Sequence, residues 1–394
     1  MDPLYWIENE LNRLAEADLL RKLPPPLREA GASVKVGAAQ IINFASNDYL
    51  GLAADPRLIE AAATACYQQG VGRGASPLVS GRSEIHDQLE KKLAEFFAVE
   101  AALLFPTSFA ANAGIIPALV DRDDAIYGDE KNHASIIDGC RLSRAERHIY
   151  PHTDVVALEK MLAQGDSYRR RLIVTDSLFS MDGDLAPLPQ LAALAEKYDA
   201  MLMVDEAHAV GVFGTQGRGV AEHFAAVNPT LEQRIHIRVG TFAKALGAAG
   251  GFVYGRASLI QWLANRARSY VFSTAHPAAI SAAGLVALDI VRTEPERRTT
   301  LLENARQLRN QLCGQDWDIS PSVSQIIPLR IGSPARTMQI SQFLRDRGFW
   351  APGIRPPSVP PDQSLLRLGV TAAHTQQMLD SLLQALAEVY KFAD

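Results

Sequence analysis

The sequence predicts an α/β protein with a large, mainly parallel sheet and a smaller α/β unit towards its C-terminal end. From residue 101 onwards, short apolar runs typical of strands alternate with stretches that repeat apolar residues at helical spacing. After a long helical stretch at about 276–316, a second and shorter alternation begins. Such alternation is typical of a parallel sheet that helices cover on both faces.

The elements can be read in order along the chain. Residues 4–20 repeat apolar side chains at helical spacing, and the three prolines at 24–26 prevent that helix from continuing. A short strand is predicted at 41–44 and helices at 56–69 and 84–97. The apolar runs of the large sheet lie at 101–105, 125–127, 147–150, 171–176, 201–205, 235–241 and 251–254. Helical patterns between them lie at 109–119, 154–164, 188–198 and 257–267.

The C-terminal part repeats the alternation on a smaller scale. Strands are predicted at 326–331 and 365–370, and helices at 335–347 and 375–391. We therefore expect three parts, which are an N-terminal helix and strand segment at 1–50, a large domain at 51–285 that carries the functional site, and a small domain at 286–394.

Composition excludes several classes of function. The 394 residues include 39 Lys and Arg against 44 Asp and Glu, a net charge of −5, so we expect neither nucleic acid nor an anionic membrane as a partner. No apolar run reaches the roughly 20 residues of a membrane helix, and the first residues do not have the pattern of a signal peptide. The three cysteines are far apart, which predicts no disulfide and no zinc site and fits a cytoplasmic protein.

The most informative cluster follows the apolar run at 201–205. Asp205 ends that run and His208 comes three residues later, at the edge of a parallel sheet where active sites gather. A carboxylate there could pair with the protonated ring nitrogen of a pyridinium cofactor. The alternative is an acid that only helps to form a turn. A metal site is less well supported, because no third ligand cluster accompanies this pair.

A second cluster surrounds Lys244, which follows another predicted strand and lies among small residues. A lysine in a confined site loses solvation, which lowers its pKa and favours a Schiff base. Thr241, three residues earlier, could contact a phosphate. Lys244 could equally be an exposed loop residue, and Asp205 is what makes the catalytic interpretation persuasive.

Further candidates are supported by single features. A helix is predicted to begin near Ser108, and its free N–H groups would bind phosphate, although Thr107 or Ser108 could simply cap the helix. His133 could stack on an aromatic ring or be structural, and Ser180 precedes an Asp-Gly turn signal. Arg355 could hold a carboxylate with its planar guanidinium group or lie on the surface.

The motifs together resemble one family. The chain resembles the α-oxoamine synthases, which are pyridoxal-phosphate transferases of the aspartate-aminotransferase fold, fold type I. The resemblance covers about residues 40–375. It depends on the segments Ser46-Asn-Asp-Tyr-Leu-Gly-Leu52, Asn132-His-Ala-Ser135, Ser180-Met-Asp-Gly-Asp184, Val204-Asp-Glu-Ala-His208 and Thr241-Phe-Ala-Lys244.

The resemblance implies a role for each matching residue. Lys244 would bind pyridoxal 5′-phosphate covalently, Asp205 would pair with the ring nitrogen, His208 would contact the ring hydroxyl and His133 would stack on the ring. The phosphate would be bound by the backbone of Ser108 and Phe109 and by Thr241, and Ser180 would also contact the cofactor. His133, Arg21, Asn47, Arg355 and Ser358 would contact substrate. The sequence departs from the family at Ser108, where glycine is usual, at Asp176, where glutamate is common, at Ala209-Val210 and at Ser358.

Within the family, the segment 354–360 resembles members that condense L-alanine with a pimeloyl thioester, carried by coenzyme A or acyl carrier protein, to make a biotin precursor. A homodimer is implied as well. The alternatives are family members that use glycine with acetyl-CoA or succinyl-CoA, or serine with a long acyl thioester. A nicotinamide dehydrogenase is disfavoured because the glycines at 70–74 follow a helix and those at 211–219 have the wrong spacing. A non-catalytic scaffold is disfavoured by Lys244, Asp205 and His208.

Overall fold

The computed structural model describes residues 2–27, 29–319 and 321–389. Its contacts group the chain into two compact units. The larger unit contains Asn47–Ser180 and Asp184–Thr300, and the smaller unit contains Met1–Ser46, Met181–Gly183 and Leu301–Asp394. The division into three parts that the sequence suggested stays a prediction.

The helices and strands are numbered here along the chain. The helices are α1 (Tyr5–Glu16), α2 (Pro56–Gln69), α3 (Glu84–Phe96), α4 (Ser108–Leu119), α5 (Ala134–Ser143), α6 (Val155–Leu162), α7 (Leu188–Lys197), α8 (Val220–Ala225), α9 (Leu231–Arg234), α10 (Ala257–Arg266), α11 (Arg268–Val271), α12 (Ala278–Thr293), α13 (Glu296–Cys313), α14 (Pro334–Asp346) and α15 (Gln376–Val389), with a π-helical turn at Pro77–Gly81. The strands are β1 (Ser33–Val36), β2 (Ala39–Asn43), β3 (Ala101–Phe105), β4 (Ala125–Asp129), β5 (Glu146–Tyr150), β6 (Arg171–Asp176), β7 (Met201–Asp205), β8 (Ile237–Thr241), β9 (Gly251–Gly255), β10 (Ile326–Gly332), β11 (Phe349–Trp350), β12 (Gly353–Ile354) and β13 (Ser364–Gly369).

The larger unit is built on a seven-stranded sheet with the order β3-β9-β8-β7-β6-β4-β5. Neighbouring strands from β8 to β5 are parallel, and β9 is antiparallel to both β8 and β3. Apolar side chains of the sheet and of α4, α5, α10 and α11 form one buried core. The predicted large, mainly parallel sheet is therefore confirmed. Its parallel strands β4, β6, β7 and β8 all end at one edge, where the polar residues of the sequence motifs follow.

The smaller unit contains two three-stranded sheets. In one, β2 pairs antiparallel with β1 and parallel with β11, and in the other β13 pairs antiparallel with both β10 and β12. Its core includes Leu308, Leu344, Leu366 and Leu382, all of which are fully buried. No helix in the described residues is both long and apolar enough to cross a lipid bilayer.

Most predicted elements are found, and the differences have local causes. The stretch at 276–316 is two helices, because Pro295 lacks the N–H that a continuous helix would need there. Helix α1 ends at Glu16 rather than near residue 20, and Asp18 adopts a left-handed conformation. Several elements were not predicted, and most of them are short: helices α5, α8, α9 and α11 and strands β1, β11 and β12. The end of the last predicted helix, 390–391, lies outside the described residues.

A partly buried histidine connects two loops beside the sheet of the larger unit. His152 Nδ1 lies 2.9 Å from Asp129 Oδ1, and His152 Nε2 lies 2.9 Å from Asp184 Oδ2. Burial alone would lower the pKa of His152, but the two carboxylates outweigh burial and raise it to about 9. The imidazolium form therefore fixes the loop after β5 to the loop that precedes α7.

This pairing predicts a pH-dependent stability. Because the pKa of His152 is higher in the folded chain, its contribution is complete below about pH 6.5 and is lost as the pH rises through about 9. His152→Gln should lower the free energy of unfolding by about 1–2 kcal/mol at pH 6. Urea unfolding across pH 6–10 should show this difference shrinking, and Asp184→Asn should show the same trend. A difference that widens with pH would contradict the assignment.

Candidate active site

Asp205 is the last residue of β7 and is almost fully buried, at 4% exposure. Its two oxygens have separate donors. The backbone N–H of Ala207 donates to Oδ1 at 2.8 Å, and the side-chain amide of Asn112 donates to Oδ2 at 2.7 Å. A buried carboxylate needs such donors, since desolvation otherwise disfavours its charged form. The two bonds fix the plane in which the carboxylate lies.

Asp176 ends the neighbouring strand β6 and pairs in register with Asp205. It is buried, and its Oδ2 accepts the backbone N–H of His133 at 2.7 Å. Burial, and then the charge of Asp205, raise the pKa of Asp176 well above its usual range, whereas Lys244 acts in the opposite direction. Burial beside a second carboxyl group therefore favours the protonated form of Asp176.

His133 is the residue that caps α5. Its Nδ1 accepts the N–H of Ser135 at 3.2 Å and lies 2.7 Å from the Ser135 hydroxyl. Partial burial lowers the pKa of His133, Asp205 opposes this change, and Lys244 adds to it. The lowered pKa favours the neutral form of this imidazole.

His208 follows β7 and is connected to the segment that begins the larger unit. The Tyr49 hydroxyl lies 2.7 Å from His208 Nδ1 and donates to Asn47 Oδ1 at 3.0 Å. Both Tyr49 and His208 are buried. The Tyr49 hydroxyl therefore orients the imidazole of His208 and connects it to the side chain of Asn47.

Lys244 lies in the turn between β8 and β9 and is half-buried. The turn is closed by a hydrogen bond from the N–H of Gly247 to the carbonyl of Lys244, at 2.9 Å. The charge of Lys244 affects the pKa of both His133 and Asp176, so the lysine faces the same site. Thr241 donates its hydroxyl proton to the carbonyl of Gly250 at 2.9 Å and accepts the N–H of Ala243 at 3.1 Å.

The beginning of α4 presents backbone N–H groups without intrahelical acceptors, as helix N-termini do. Thr107 is the capping residue and accepts the N–H of Ala110 at 3.0 Å, so Ser108 is the first helical residue. In the described part of the chain, the N–H groups of Ser108 and Phe109 have no hydrogen-bond acceptor. Gly251 approaches this turn so closely that a Cβ atom there would lie 2.3 Å from the nitrogen of Ser108.

Other predicted residues lie in the smaller unit, where they form a separate group. Arg21 Nη2 lies 3.3 Å from the carbonyl oxygen of Pro356 and 3.4 Å from the hydroxyl of Ser358. The Arg355 guanidinium donates to the carbonyl of Asp18. Its Nε is buried and has no hydrogen-bond partner among the described residues. Burial, followed by the charge of Arg21, lowers the pKa of Arg355.

Comparison of the chain with models of known protein families identifies one family. Residues 39–386 match the model of the family described as aminotransferase class I and II. The chain belongs to this family.

Individual relatives of the aminotransferase family narrow the comparison. The chain is 49% identical to the 8-amino-7-oxononanoate synthase of Anaeromyxobacter sp. strain Fw109-5, over 99% of this chain and 96% of the relative. It is 45% identical to the protein of that name from Symbiobacterium thermophilum, over 98% and 97%. A serine palmitoyltransferase from S. paucimobilis, solved with bound PLP–myriocin aldimine, has a TM-score of 0.92 at 29% identity and covers 100% of this chain and 99% of its own. The resemblance to the α-oxoamine synthases and the fold are thus confirmed.

The structure brings together most residues that the family motifs indicated. Asp205, His133, His208, Lys244 and the start of α4 lie at the carboxyl edge of one sheet. The larger unit also contains Ser180, which follows the loop after β6, and Asn47. The substrate residues Arg21, Arg355 and Ser358 lie in the smaller unit.

The sequence motifs assigned no role to Asn112, Ser135 or Tyr49, although Ser135 and Tyr49 are part of the family motifs. A signal for Asn112 was present. It is a fully buried amide in an otherwise apolar helix, and it lies one turn after Ser108, on the same face. Asparagine is a poor helix former, so its position inside α4 indicates a functional or structural partner.

The close approach at Gly251 gives a test of this part of the site. Gly251→Ala would press a methyl group against Thr107 and Ser108, so we expect a loss of about 1–3 kcal/mol in the free energy of unfolding. Gly72→Ala is the matched control, because its Cβ would meet open space in the same unit, and its effect should stay within about 0.5 kcal/mol. Chemical denaturation measures both. Equal effects of the two changes would contradict the close approach.

Proposed function

We propose that this protein acts as an 8-amino-7-oxononanoate synthase, which joins L-alanine to a pimeloyl thioester with loss of carbon dioxide. The observation that carries the proposal is the group formed by Asp205, His133 and Lys244 at one sheet edge, beside a helix start with free N–H groups. The relatives at 45% and 49% identity support this choice of reaction.

The residues present fit pyridoxal 5′-phosphate. A buried carboxylate suits a protonated ring nitrogen, a neutral imidazole suits stacking on the ring, and the start of α4 suits a phosphate. We propose that Asp205, His208 and His133 hold the ring, that Ser108, Phe109 and Thr241 bind the phosphate with Ser180 nearby, and that Lys244 forms the covalent link. Because the Thr241 hydroxyl already donates to Gly250, the backbone N–H groups of α4 would be the main phosphate donors.

The cofactor, when bound, supplies an electron sink for the carbanion at the amino-acid Cα. The protein's own groups do the rest. Lys244 Nζ would take the proton from Cα of alanine and later return one to the product. The new bond joins Cα to the thioester carbonyl carbon as the C–S bond breaks, and the carrier leaves as a thiolate that takes a proton from water. The carboxylate of alanine departs as carbon dioxide, and the proton held by Lys244 returns to Cα. Asn47, Arg21, Arg355, Ser358 and His133 would bind the substrates.

Product mass spectrometry tests this function directly. Purified protein with pyridoxal phosphate is incubated with alanine and pimeloyl-CoA, and in parallel with glycine or serine and acetyl-CoA, succinyl-CoA or palmitoyl-CoA. We expect the mass of 8-amino-7-oxononanoate in the first mixture only. Product in the serine and palmitoyl-CoA mixture would instead support the activity of the similar palmitoyltransferase.

The covalent role of Lys244 can be tested separately. Borohydride reduction of the wild-type protein should fix the cofactor to the peptide that contains Lys244, as peptide mass mapping would show. Lys244→Ala protein should bind the cofactor reversibly and lose at least about a thousandfold in kcat, since the general base and nucleophile are removed. Cofactor fixed to the variant at another lysine would contradict the assignment.

The unpaired Nε of Arg355 makes this side chain the proposed clamp for the carboxylate of alanine. Arg355→Lys should raise the KM for alanine at least about tenfold, as expected when a charge-assisted bond worth about 1.5–3 kcal/mol is lost. Its affinity for pyridoxal phosphate should stay unchanged. Arg347→Lys is the control, because Arg347 pairs with Glu388 in the same unit. Equal losses of alanine and cofactor affinity in Arg355→Lys would argue against the clamp.

A homodimer is part of the proposal. Two strongly exposed apolar side chains of the larger unit, Val79 at 80% and Phe272 at 72%, lie on segments that pack together, the π-helical turn and the end of α11. Ser269 of α11 also donates to the carbonyl of Ala110, next to the half-exposed Phe109. Such a patch favours a covering partner. The cytoplasmic location and the choice between coenzyme A and acyl carrier protein stay predictions.

A further inference from the structure

Four side chains form a continuous chain of hydrogen bonds across the site, which we name the Asn112 relay. It runs from Asp205 through Asn112 and Ser135 to His133. The amide nitrogen of Asn112 lies 2.7 Å from Asp205 Oδ2 and 2.9 Å from Ser135 Oγ, and Ser135 Oγ lies 2.7 Å from His133 Nδ1. Asn112 and Ser135 are buried, so water does not compete for these bonds.

The direction of every bond in the relay follows from its chemistry. Only a donor can face the carboxylate of Asp205, so the amide nitrogen of Asn112, and not its oxygen, points there. Its second hydrogen goes to Ser135 Oγ, and the hydroxyl proton is then free to go to His133 Nδ1. The backbone N–H of Ser135 also points at this Nδ1, at 3.2 Å. Two donors therefore meet His133 Nδ1, which must be unprotonated.

The opposite orientation of the amide is excluded by the same contacts. It would place Asn112 Oδ1 against Asp205 Oδ2, two acceptors at 2.7 Å. In the orientation observed, Asn112 Oδ1 is buried and has no hydrogen-bond partner in the described part of the chain. A buried acceptor without a partner is unfavourable, so the two donated bonds are what hold the amide in place.

We propose that Asn112 is a positioning residue that sets the orientation of Asp205 and the tautomer of His133 together. Asp205 is directed towards the position of the cofactor ring nitrogen. His133 keeps its single proton on Nε2, where it can be donated to an oxygen of the substrate or cofactor. This inference rests on the proposed pyridoxal-phosphate function, because both directed groups would face that cofactor.

The tautomer can be measured without any substitution in the relay. In holoenzyme labelled with 15N-histidine, the imidazole signals of His133 are assigned by their loss in His133→Gln. We expect the shifts of a neutral ring with a protonated Nε2 and an unprotonated Nδ1 at neutral pH. Ser135→Ala should shift the Nδ1 signal, because one of its two donors is lost while the backbone N–H still keeps Nδ1 unprotonated. Ser143→Ala, which removes another buried hydroxyl of α5, should leave the signals unchanged. A protonated Nδ1 in the wild type would overturn the proposal.

Asn112→Leu tests the connection to Asp205. We expect the dissociation constant for pyridoxal phosphate to rise at least tenfold, the visible absorbance of the bound cofactor to change, and kcat to fall more than KM for alanine rises. Ser143→Ala should stay within twofold on all three. Unchanged cofactor affinity and absorbance in Asn112→Leu would overturn the proposal. If this variant does not fold, the 15N shifts of the wild type and Ser135→Ala decide. Failure of the wild type to bind pyridoxal phosphate would instead remove the proposed function.

Discussion

The structure of the site depends on one constraint, which is that the carboxylate of Asp205 is buried at the end of a strand. A buried charge is stable only when donors replace the water it has lost. Ala207 supplies one donor from the loop after β7, and Asn112 supplies the other from a helix of the same unit. Helix α4 must therefore lie across the strand ends. The same placement brings the N-terminus of α4, one turn before Asn112, to this edge of the sheet, where we propose that it binds a phosphate.

Close backbone contacts make this placement of α4 achievable. Gly251 lets β9 lie against the first turn of α4, and Gly139 lets α5 lie against its middle. A Cβ atom at Gly139 would lie 2.7 Å from the carbonyl oxygen of Asn112. The short distance between the helices allows the amide of Asn112 to reach Ser135 as well as Asp205. Small residues in two neighbouring elements thus determine which polar groups meet.

Local patterns in the sequence were sufficient to predict most strands of the large sheet. Strands β3, β6 and β7 were predicted at their observed bounds, because each is a buried apolar run that ends in a turn or a polar residue. Helix α5 was missed for a physical reason. It contains Gly139, which lowers helix propensity, yet this glycine is what permits the contact with α4. The contact of α5 with α4 outweighs the weak helix propensity of α5. The ten residues of α5 alone do not reveal that contact.

The residues of the site also fall into two groups, those that the sequence could predict and those that it could not. Asp205, His208 and Lys244 could be found because each follows an apolar strand, so local spacing indicated a shared edge. Asn112 could not be assigned from spacing, since its partner Asp205 is 93 residues away. Nor could the sequence show that Asp176 and Asp205 are neighbours in register on β6 and β7.

The pairing of Asp176 with Asp205 affects the pKa of Asp176. Two adjacent buried carboxyl groups resist ionising together. Asp176 has a single backbone donor from His133, whereas Asp205 has both the N–H of Ala207 and the amide of Asn112. Burial, and then the charge of Asp205, raise the pKa of Asp176, and the single bond from the N–H of His133 does not offset them. The carboxylate of Asp205 is therefore oriented by two donors from different elements, and the one that comes from a side chain is the amide of Asn112.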